Sequence, residues 1–546
     1  MTTSVDLRTT LLRIGWWLFV ASAAVAAGWL VTEAWWHVQT LPNRGWDFQT
    51  ARIMGALLLN LFFAAALAVM AALYFWGRMA TSLPDLQGWH LQRPESEFRA
   101  SDAIAGYTLD DYLEQERRVF QELDALVKGP WAKDTTSAYS RFTSGSVCNP
   151  ASIGDRNWNR SSVLEAPNPI GGVLLLHGLS DAPYSLRSLG QRLHAEGFSV
   201  IWLRIPGHGT CPNALAHISW DDWTAAVRIA VQGLRKRLPQ DAPWILGGYS
   251  NGGALSVHYV LTAIMDGAMS KPNAVVLFSP MIGINPLARI TRLYHLVGLI
   301  FRNHKAQWSN IDAEIDPFKY SSWPMNGNVQ AWAVTQAVER RLASLAKAGR
   351  MNEMPPVLAM QSVVDSTVEV PKLISVLFNR LRSTASELFL FDINRVERLA
   401  NLINLSFEKT IATELERTDT HYQLTVLSNA STASHQVVLK TGPRDARLEI
   451  KTGMSWPAGV VSLSHVAVPF PQDDPVYGTE ESMAPGGLSL GSLSMRAEPS
   501  ALMISNTLFV RCRHNPFYQF MEERVVRWLT SVLDTKPKNG DSQKVS

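Results

Sequence analysis

Cysteine is nearly absent: 546 residues hold only three, Cys148, Cys211 and Cys512. They lie far apart and lack the short spacings of metal ligands, which argues against a zinc site and against a disulfide framework. What remains is either one bridge with a thiol left over or three free, mostly buried thiols. An excess of one charge is missing too, since 50 Lys and Arg against 47 Asp and Glu leave a formal +3. No basic run is interleaved with aromatics, so nothing points to nucleic acid as a partner. There is no internal repeat and no low-complexity tract, which excludes solenoid and array architectures.

What the chain does have is apolar length. Hydrophobic residues make up 47% of it, enough for a large core and membrane segments besides. Ile14 to Thr32 carries no charge, and Ile53 to Gly77 is likewise uncharged between Arg52 and Arg78. Each is long enough to cross a bilayer. Trp16, Trp17, Trp35, Trp36, Trp76 and Tyr74 cluster near the ends, where amphipathic rings favour the interface. Residues 1–80 therefore read as a transmembrane hairpin with spans at about 14–36 and 53–77. The competing reading is a signal peptide cleaved near Ala24 to Gly28. Arg8, Arg13, Arg78, Arg93 and Arg99 flank the outer ends, against Arg44 and Arg52 in the connecting loop. That bias leans toward both ends being cytoplasmic, as in a bacterial inner-membrane protein, although the two sides hardly differ in Arg density.

Residues 81–165 read as a linker and a helical or irregular lead-in. Ser82 to Arg99 is polar and Pro-containing, whereas Thr108 caps a helix to Val127 with Asp110 and Asp111 in its first turn. That helix either packs on the following domain or lies near the bilayer. From Gly172 short apolar runs alternate with helical segments. Val173 to Leu176, Phe198 to Arg204, Ala242 to Leu246, Ala274 to Phe278, Val357 to Gln361 and Glu387 to Phe391 are the predicted strands. Strands spaced by helices imply an α/β domain over 166–535, a mainly parallel sheet covered on both faces. Two insertions interrupt the rhythm, Pro280 to Met354 and Asn394 to Gly459. The second contains two alternating runs, Tyr422 to Leu427 and Gln436 to Leu439, predicted to form an added hairpin. A helix over Phe517 to Leu533 closes the domain, and residues 536–546 read as a disordered tail.

One stretch carries chemistry. Gly248-Tyr249-Ser250-Asn251-Gly252 fits G-x-S-x-G, in which a sharp strand-to-helix turn exposes a nucleophilic hydroxyl. The pentapeptide alone is weak, but a buried strand precedes it and a helix over Ala254 to Thr262 follows. A serine nucleophile needs a base, and the base a carboxylate that holds its tautomer. Asp365, just past a strand end, and His465, before a Pro-rich loop, supply them in the order Ser, Asp, His. Rivals exist for both: Asp392 for the acid, and His421 and His435 inside the second insertion for the base. Two backbone amides must face the developing oxyanion. Asn251 offers one, and Leu179 in His177-Gly178-Leu179-Ser180 offers the other. His177 is read as shaping that loop.

Taken together, His177-Gly178, Pro206-Gly207-His208-Gly209, the Ser250 pentapeptide, Asp365 and His465 resemble the α/β-hydrolase superfamily. The resemblance is to its lysophospholipase, monoacylglycerol-lipase and serine-aminopeptidase-like branch, and it runs from about Gly171 to Leu533. It implies an eight-stranded, mostly parallel sheet, a lid formed by the first insertion (about 280–354) and no metal or organic cofactor. It also implies acyl transfer to water through an acyl-enzyme, with Ser250, His465 and Asp365 as triad, Leu179 and Asn251 as oxyanion donors, and Pro206 to Gly209 as a structural turn. The two departures are the hairpin and the insertion at about 394–459. The chain is thus expected to be a membrane-anchored serine esterase acting on a small or lipid-like ester. An aminopeptidase or amidase, or a catalytically silent binding protein of the same fold, are the alternatives.

Overall fold

The computed structural model describes residues 28, 29, 33, 46–283, 304–365, 368–396, 413–417, 419–442, 448–479, 481, 490–494 and 510–533. The chain divides into two compact units, Met1–Pro84 with Arg292–Trp308, and Asp85–Thr291 with Ser309–Ser546.

In the first unit a continuous helix, α1 (Trp46–Thr81), runs for 36 residues. Leu57, Leu58, Leu59, Leu61, Phe62, Phe63 and Met70 are exposed on it. The short helix His304–Gln307 packs beside it, and the Lys305 ammonium donates to the Leu83 carbonyl at 3.0 Å. Among the described residues no helix is long and apolar enough to cross a membrane. The expected pair of spans is therefore not supported. Apart from residues 28, 29 and 33 the first lies outside the described residues, and the second falls within α1, where the side chains of 72–77 are likewise outside them.

The second unit is built on a sheet. Its strands are β1 (Ser162–Leu164), β2 (Gly171–Leu176), β3 (Phe198–Leu203), β4 (Trp244–Tyr249), β5 (Ala274–Phe278), β6 (Val357–Ser362), β7 (Glu387–Phe391), β8 (Gln423–Ser431), β9 (Ser434–Gly442) and β10 (Leu448–Ser455). They lie in the order β1-β3-β2-β4-β5-β6-β7-β8-β9-β10. Neighbours from β3 to β8 pair parallel; β1 and the β8-β9-β10 meander pair antiparallel. Ten strands replace the expected eight because the second insertion adds to the sheet edge: β8 pairs parallel with β7, and β9 and β10 fold back in turn.

Near-continuous Val, Leu and Ile runs make β2 to β7 fully buried, as a sheet covered on both faces requires. Alternate residues go to opposite layers. Leu174 and Leu176 pack with α2 (Leu109–Lys128), α4 (Trp220–Lys236), α5 (Asn251–Asp266), α6 (Met325–Lys347) and α7 (Val370–Val376), whereas Val173 and Leu175 pack with α3 (Arg187–Ala195) and α8 (Tyr518–Leu533). Cys148 and Cys211 are buried and Cys512 half-buried, all three as free thiols.

The lead-in belongs to this core rather than acting as a spacer. Thr108 caps α2 by accepting from the Asp111 amide, and Leu109, Tyr112, Val119 and Phe120 bury its apolar face. Arg204, 0% exposed after β3, donates at 2.9 Å to both Glu97 oxygens and to Glu116 of α2. Burial alone would raise the Glu97 carboxyl, but the Arg204 guanidinium and the Gly207 and Phe98 amides hold it below its ordinary value. Removing one partner of such a cluster strands a buried charge. Glu97→Ala is accordingly expected to lower the unfolding free energy by about 3–5 kcal/mol in urea titration. Because the folded-state pKa is depressed, this stability is present above the unfolded value of 4.5 and lost as pH falls through the folded one, so the variant also flattens the acid limb of the stability curve.

Candidate active site

Parallel register brings the ends of β2, β4 and β5 side by side, with Leu176 opposite Gly248 and Tyr249 opposite Phe278. The chain passes from β4 into α5 through Ser250, whose φ of 52° and ψ of −114° are unusual for a residue with a Cβ. Such backbone costs on the order of 1–3 kcal/mol, and packing must hold it. The Ser250 amide donates to the Phe278 carbonyl and the Met281 amide to the Ser250 carbonyl, both at 2.9 Å. Glycine is obligatory on each side. A Cβ on Gly248 would come within 2.3 Å of the Gly252 carbonyl, and one on Gly252 within 2.1 Å of the Leu176 carbonyl.

Two further loops converge on this turn. The Ser250 hydroxyl lies 3.0 Å from His465 Nε2, and His465 Nδ1 lies 2.7 Å from Asp365 Oδ2. Nδ1 donates to the carboxylate, which leaves Nε2 to accept from Ser250. Asp365 projects from the loop after β6, and its other oxygen accepts from the Val368 amide at 3.0 Å. His465 opens a short 3-10 helix, its ring 5.4 Å from that of Tyr249. The side chain of Asp365 is fully buried and that of His465 13% exposed, so the relay sits in a water-poor setting with one edge open.

The rival residues are placed elsewhere. His421 and His435 are exposed near the meander. Asp392 is buried, held by Arg395 at 2.9 Å and by the Ser428 hydroxyl at 2.6 Å.

Beside the elbow, the loop after β2 runs so close that a Cβ on Gly178 would meet the Tyr249 ring at 2.9 Å. Among the described hydrogen bonds neither the Leu179 nor the Asn251 amide has an acceptor. Asn251 is the first residue of α5, so its amide stands at the positive end of the helix dipole. His177 is committed to the loop: Nδ1 donates to Gly178 O at 2.8 Å and Nε2 accepts from the Ile205 amide at 3.0 Å. Burial first, then neighbouring His208, holds it neutral, well below the ordinary imidazole value. Burial likewise brings His208, in the Pro206–Gly209 turn, down to about 4.

Sequence reading had no signal for two supports. The Lys319 ammonium pairs with Asp181 at 2.6 Å, and the Tyr320 amide donates to the Ser180 carbonyl at 3.0 Å, both from the first insertion onto the loop after β2. A cavity of about 910 Å³ between α3 and the start of α8 includes none of these groups. Among the described residues no group of three or more His, Cys, Asp or Glu is placed to hold a metal ion. The arrangement can deprotonate a hydroxyl, attack an acyl carbon and stabilise the resulting oxyanion.

Sheet order, strained elbow and relay together define an α/β-hydrolase fold. Residues 167–372 match the family described as "Serine aminopeptidase, S33". A thermostable monoacylglycerol lipase of Bacillus sp. (strain H-257) is 32% identical over 93 residues, which cover 17% of this chain and 36% of the lipase. The chain thus matches about a third of the length of that curated relative. Among solved structures, a monoacylglycerol lipase of Paleococcus ferrophilus is 22% identical, covering 42% of this chain and 88% of its own, with a TM-score of 0.32. A structure reported with the metagenome-derived lipolytic enzymes LipS and LipT is 19% identical, covering 47% and 97%, with a TM-score of 0.33.

The Gly252 contact yields a prediction. Gly252→Ala must displace the Leu176 carbonyl or the elbow itself, and an error of about 1 Å at a reacting group costs roughly 10²-fold in rate. Labelling of Ser250 by a fluorophosphonate is expected to slow by about that factor, with circular dichroism reporting an intact fold.

Proposed function

We propose that the protein is a serine hydrolase of carboxylic esters. Ser250 attacks the acyl carbon while His465 takes its proton and passes it to the leaving alcohol. Water, activated by the same imidazole, then releases the acid from the acyl-enzyme. Asp365 holds the imidazole tautomer, and the Leu179 and Asn251 amides receive the oxyanion. The observation that carries this reading is the relay of 3.0 and 2.7 Å among side chains from three distant loops.

The substrate class we propose is lipid-like, a monoacylglycerol or lysophospholipid met at a membrane surface. The exposed leucines and phenylalanines of α1 support it, since so much exposed apolar surface on one helix marks an interaction surface. So does the name of the Bacillus relative, a monoacylglycerol lipase. On the arginine bias we place the hydrolase unit on the cytoplasmic side of the inner membrane. The second reading, an aminopeptidase or amidase, is favoured by the name of the matched family.

Fluorophosphonate labelling of wild type and its loss in Ser250→Ala test the enzyme reading; an unlabelled wild type beside a reactive control hydrolase would refute it. Asp365→Asn is expected to cut kcat by about 10⁴-fold, whereas His435→Ala leaves it unchanged. Monoacylglycerols of graded chain length set against an aminoacyl amide separate the two substrate classes, and preferential turnover of the amide would overturn the ester assignment. Co-flotation with anionic vesicles, lost in a Leu58→Glu, Leu61→Glu, Phe62→Glu triple variant, is the expected sign of membrane attachment.

A further inference from the structure

On the layer opposite α3 and α8, three helices meet around a cavity of about 200 Å³ that shares no residue with the Ser250 relay. Its walls follow helical periodicity: Trp220, Thr224 and Val227 from α4, and Leu255, His258 and Thr262 from α5. Arg341 enters from α6 and Arg228 from α4. The cavity is a groove between packed helices.

Its polar groups fall into two sets. The Tyr259 hydroxyl donates to the Ser270 carbonyl at 3.0 Å and the Thr262 hydroxyl to the His258 carbonyl at 2.8 Å, so both are occupied. His258 is 5% exposed, and its buried Nε2 has no partner. A buried orphan of this kind calls for an occupant. Trp220 meets its ring edge to face at 5.4 Å. Burial and then the two arginines, Arg341 before Arg228, bring the imidazole down to about 3, so it is neutral and offers a single N–H. Among the described ion pairs neither Arg228 nor Arg341 takes part, and Arg341 is half-buried with Arg340 as a further like charge. Asp221, exposed, is the one carboxylate of the lining. Arg228 is exposed and Arg341 half-buried, and two guanidiniums against the single Asp221 carboxylate leave the concave site with an excess of positive charge that an anion relieves.

The remaining wall decides which anion. Val227, Leu255 and Met269 are apolar, and Trp220 and Tyr259 present rings. Inorganic phosphate would satisfy the arginines and leave this surface uncovered. We propose that the groove between α4, α5 and α6 binds a small organic carboxylate, its charged end on Arg228 and Arg341 with a hydrogen bond from His258, and its hydrocarbon body against Val227, Leu255 and Trp220. Arginine is suited to this because its planar fork matches a carboxylate in two parallel bonds. Arg341 lies in the first insertion and α5 begins directly after Ser250, so the occupant joins the insertion to the helix that follows the elbow. The proposal does not depend on the reaction performed at Ser250.

Isothermal titration and thermal unfolding of the full chain with hexanoate, in the Ser250→Ala background and in wild type, test it. A saturable rise in Tm with hexanoate is expected in both. No comparable rise should follow with hexanol or, at equal ionic strength, with inorganic phosphate. The Arg228→Gln, Arg341→Gln double variant should bind at least tenfold more weakly while turning over a soluble ester at the wild-type rate. Thr224→Trp, which fills the cavity and keeps both guanidiniums, should abolish the rise and covers the case in which the double variant does not fold. Absence of saturable binding overturns the proposal. So does binding undiminished in the double variant or in Thr224→Trp, which would place hexanoate elsewhere, including the Ser250 cleft. A phosphate effect equal to that of hexanoate would identify a pocket for inorganic anions and overturn the organic ligand.

Discussion

Everything at the site depends on one backbone contact: the Ser250 amide held by the carbonyl of Phe278 at 2.9 Å, one step beyond the paired ends of β4 and β5. That bond lets a serine stay at φ 52° against its preference. The neighbouring strands repeat the device. The Ser279 amide donates to the Met360 carbonyl and the Val363 amide to the Phe391 carbonyl, so backbone pairing continues past each strand into the loops that hold the chemistry. Three non-glycine residues take positive φ among the described residues, Ser180, Ser250 and Ser279, and they follow β2, β4 and β5. Strain is gathered at the carboxyl edge of adjacent strands, where a stiff sheet can bear it.

Order in the sheet explains why the crevice lies there. The chain leaves β2 toward β3 on one side and returns to β4 on the other. Loops after β2 and β4 therefore diverge, leaving space above their ends for a substrate. Asp365 reaches the same edge from β6, two places further along, and His465 arrives after the whole meander. The added strands extend the far edge of the sheet and leave the path from Val461 to His465 close to β7, since the Asn394 amide donates to the Val461 carbonyl at 2.7 Å.

The elbow was legible because its signal is local: an apolar run, two glycines that no other residue can replace, and a helix. Asp365 and His465 were legible through chain order, and the hairpin of β8 and β9 through alternation. β10 was not, because its residues are mostly exposed and give no period-two pattern. The ionic cluster was hidden for the opposite reason. Glu97 sits in a polar stretch that reads as solvated, and only the fold brings it to Arg204, 107 positions away. Pairing across such a distance leaves no trace in spacing. The ends of the N-terminal apolar runs were read from composition, which sets length but not what covers a helix.

That hidden cluster also accounts for the Pro206-Gly207-His208-Gly209 turn, which sequence reading could mark only as structural. Arg204, fixed by Glu97 and Glu116, donates to the His208 carbonyl at 3.0 Å and receives Tyr112 of α2 on its own carbonyl at 2.6 Å. With the turn fixed, the Ile205 amide points at His177 Nε2, which leaves Nδ1 to donate to the Gly178 carbonyl. The next residue is Leu179. A chain of bonds thus runs from the lead-in helix to the loop after β2, and each link is buried where water cannot substitute for it. The lead-in is therefore part of what holds the loop after β2, and a neutral His177 is required because a second proton would remove the acceptor that Ile205 uses.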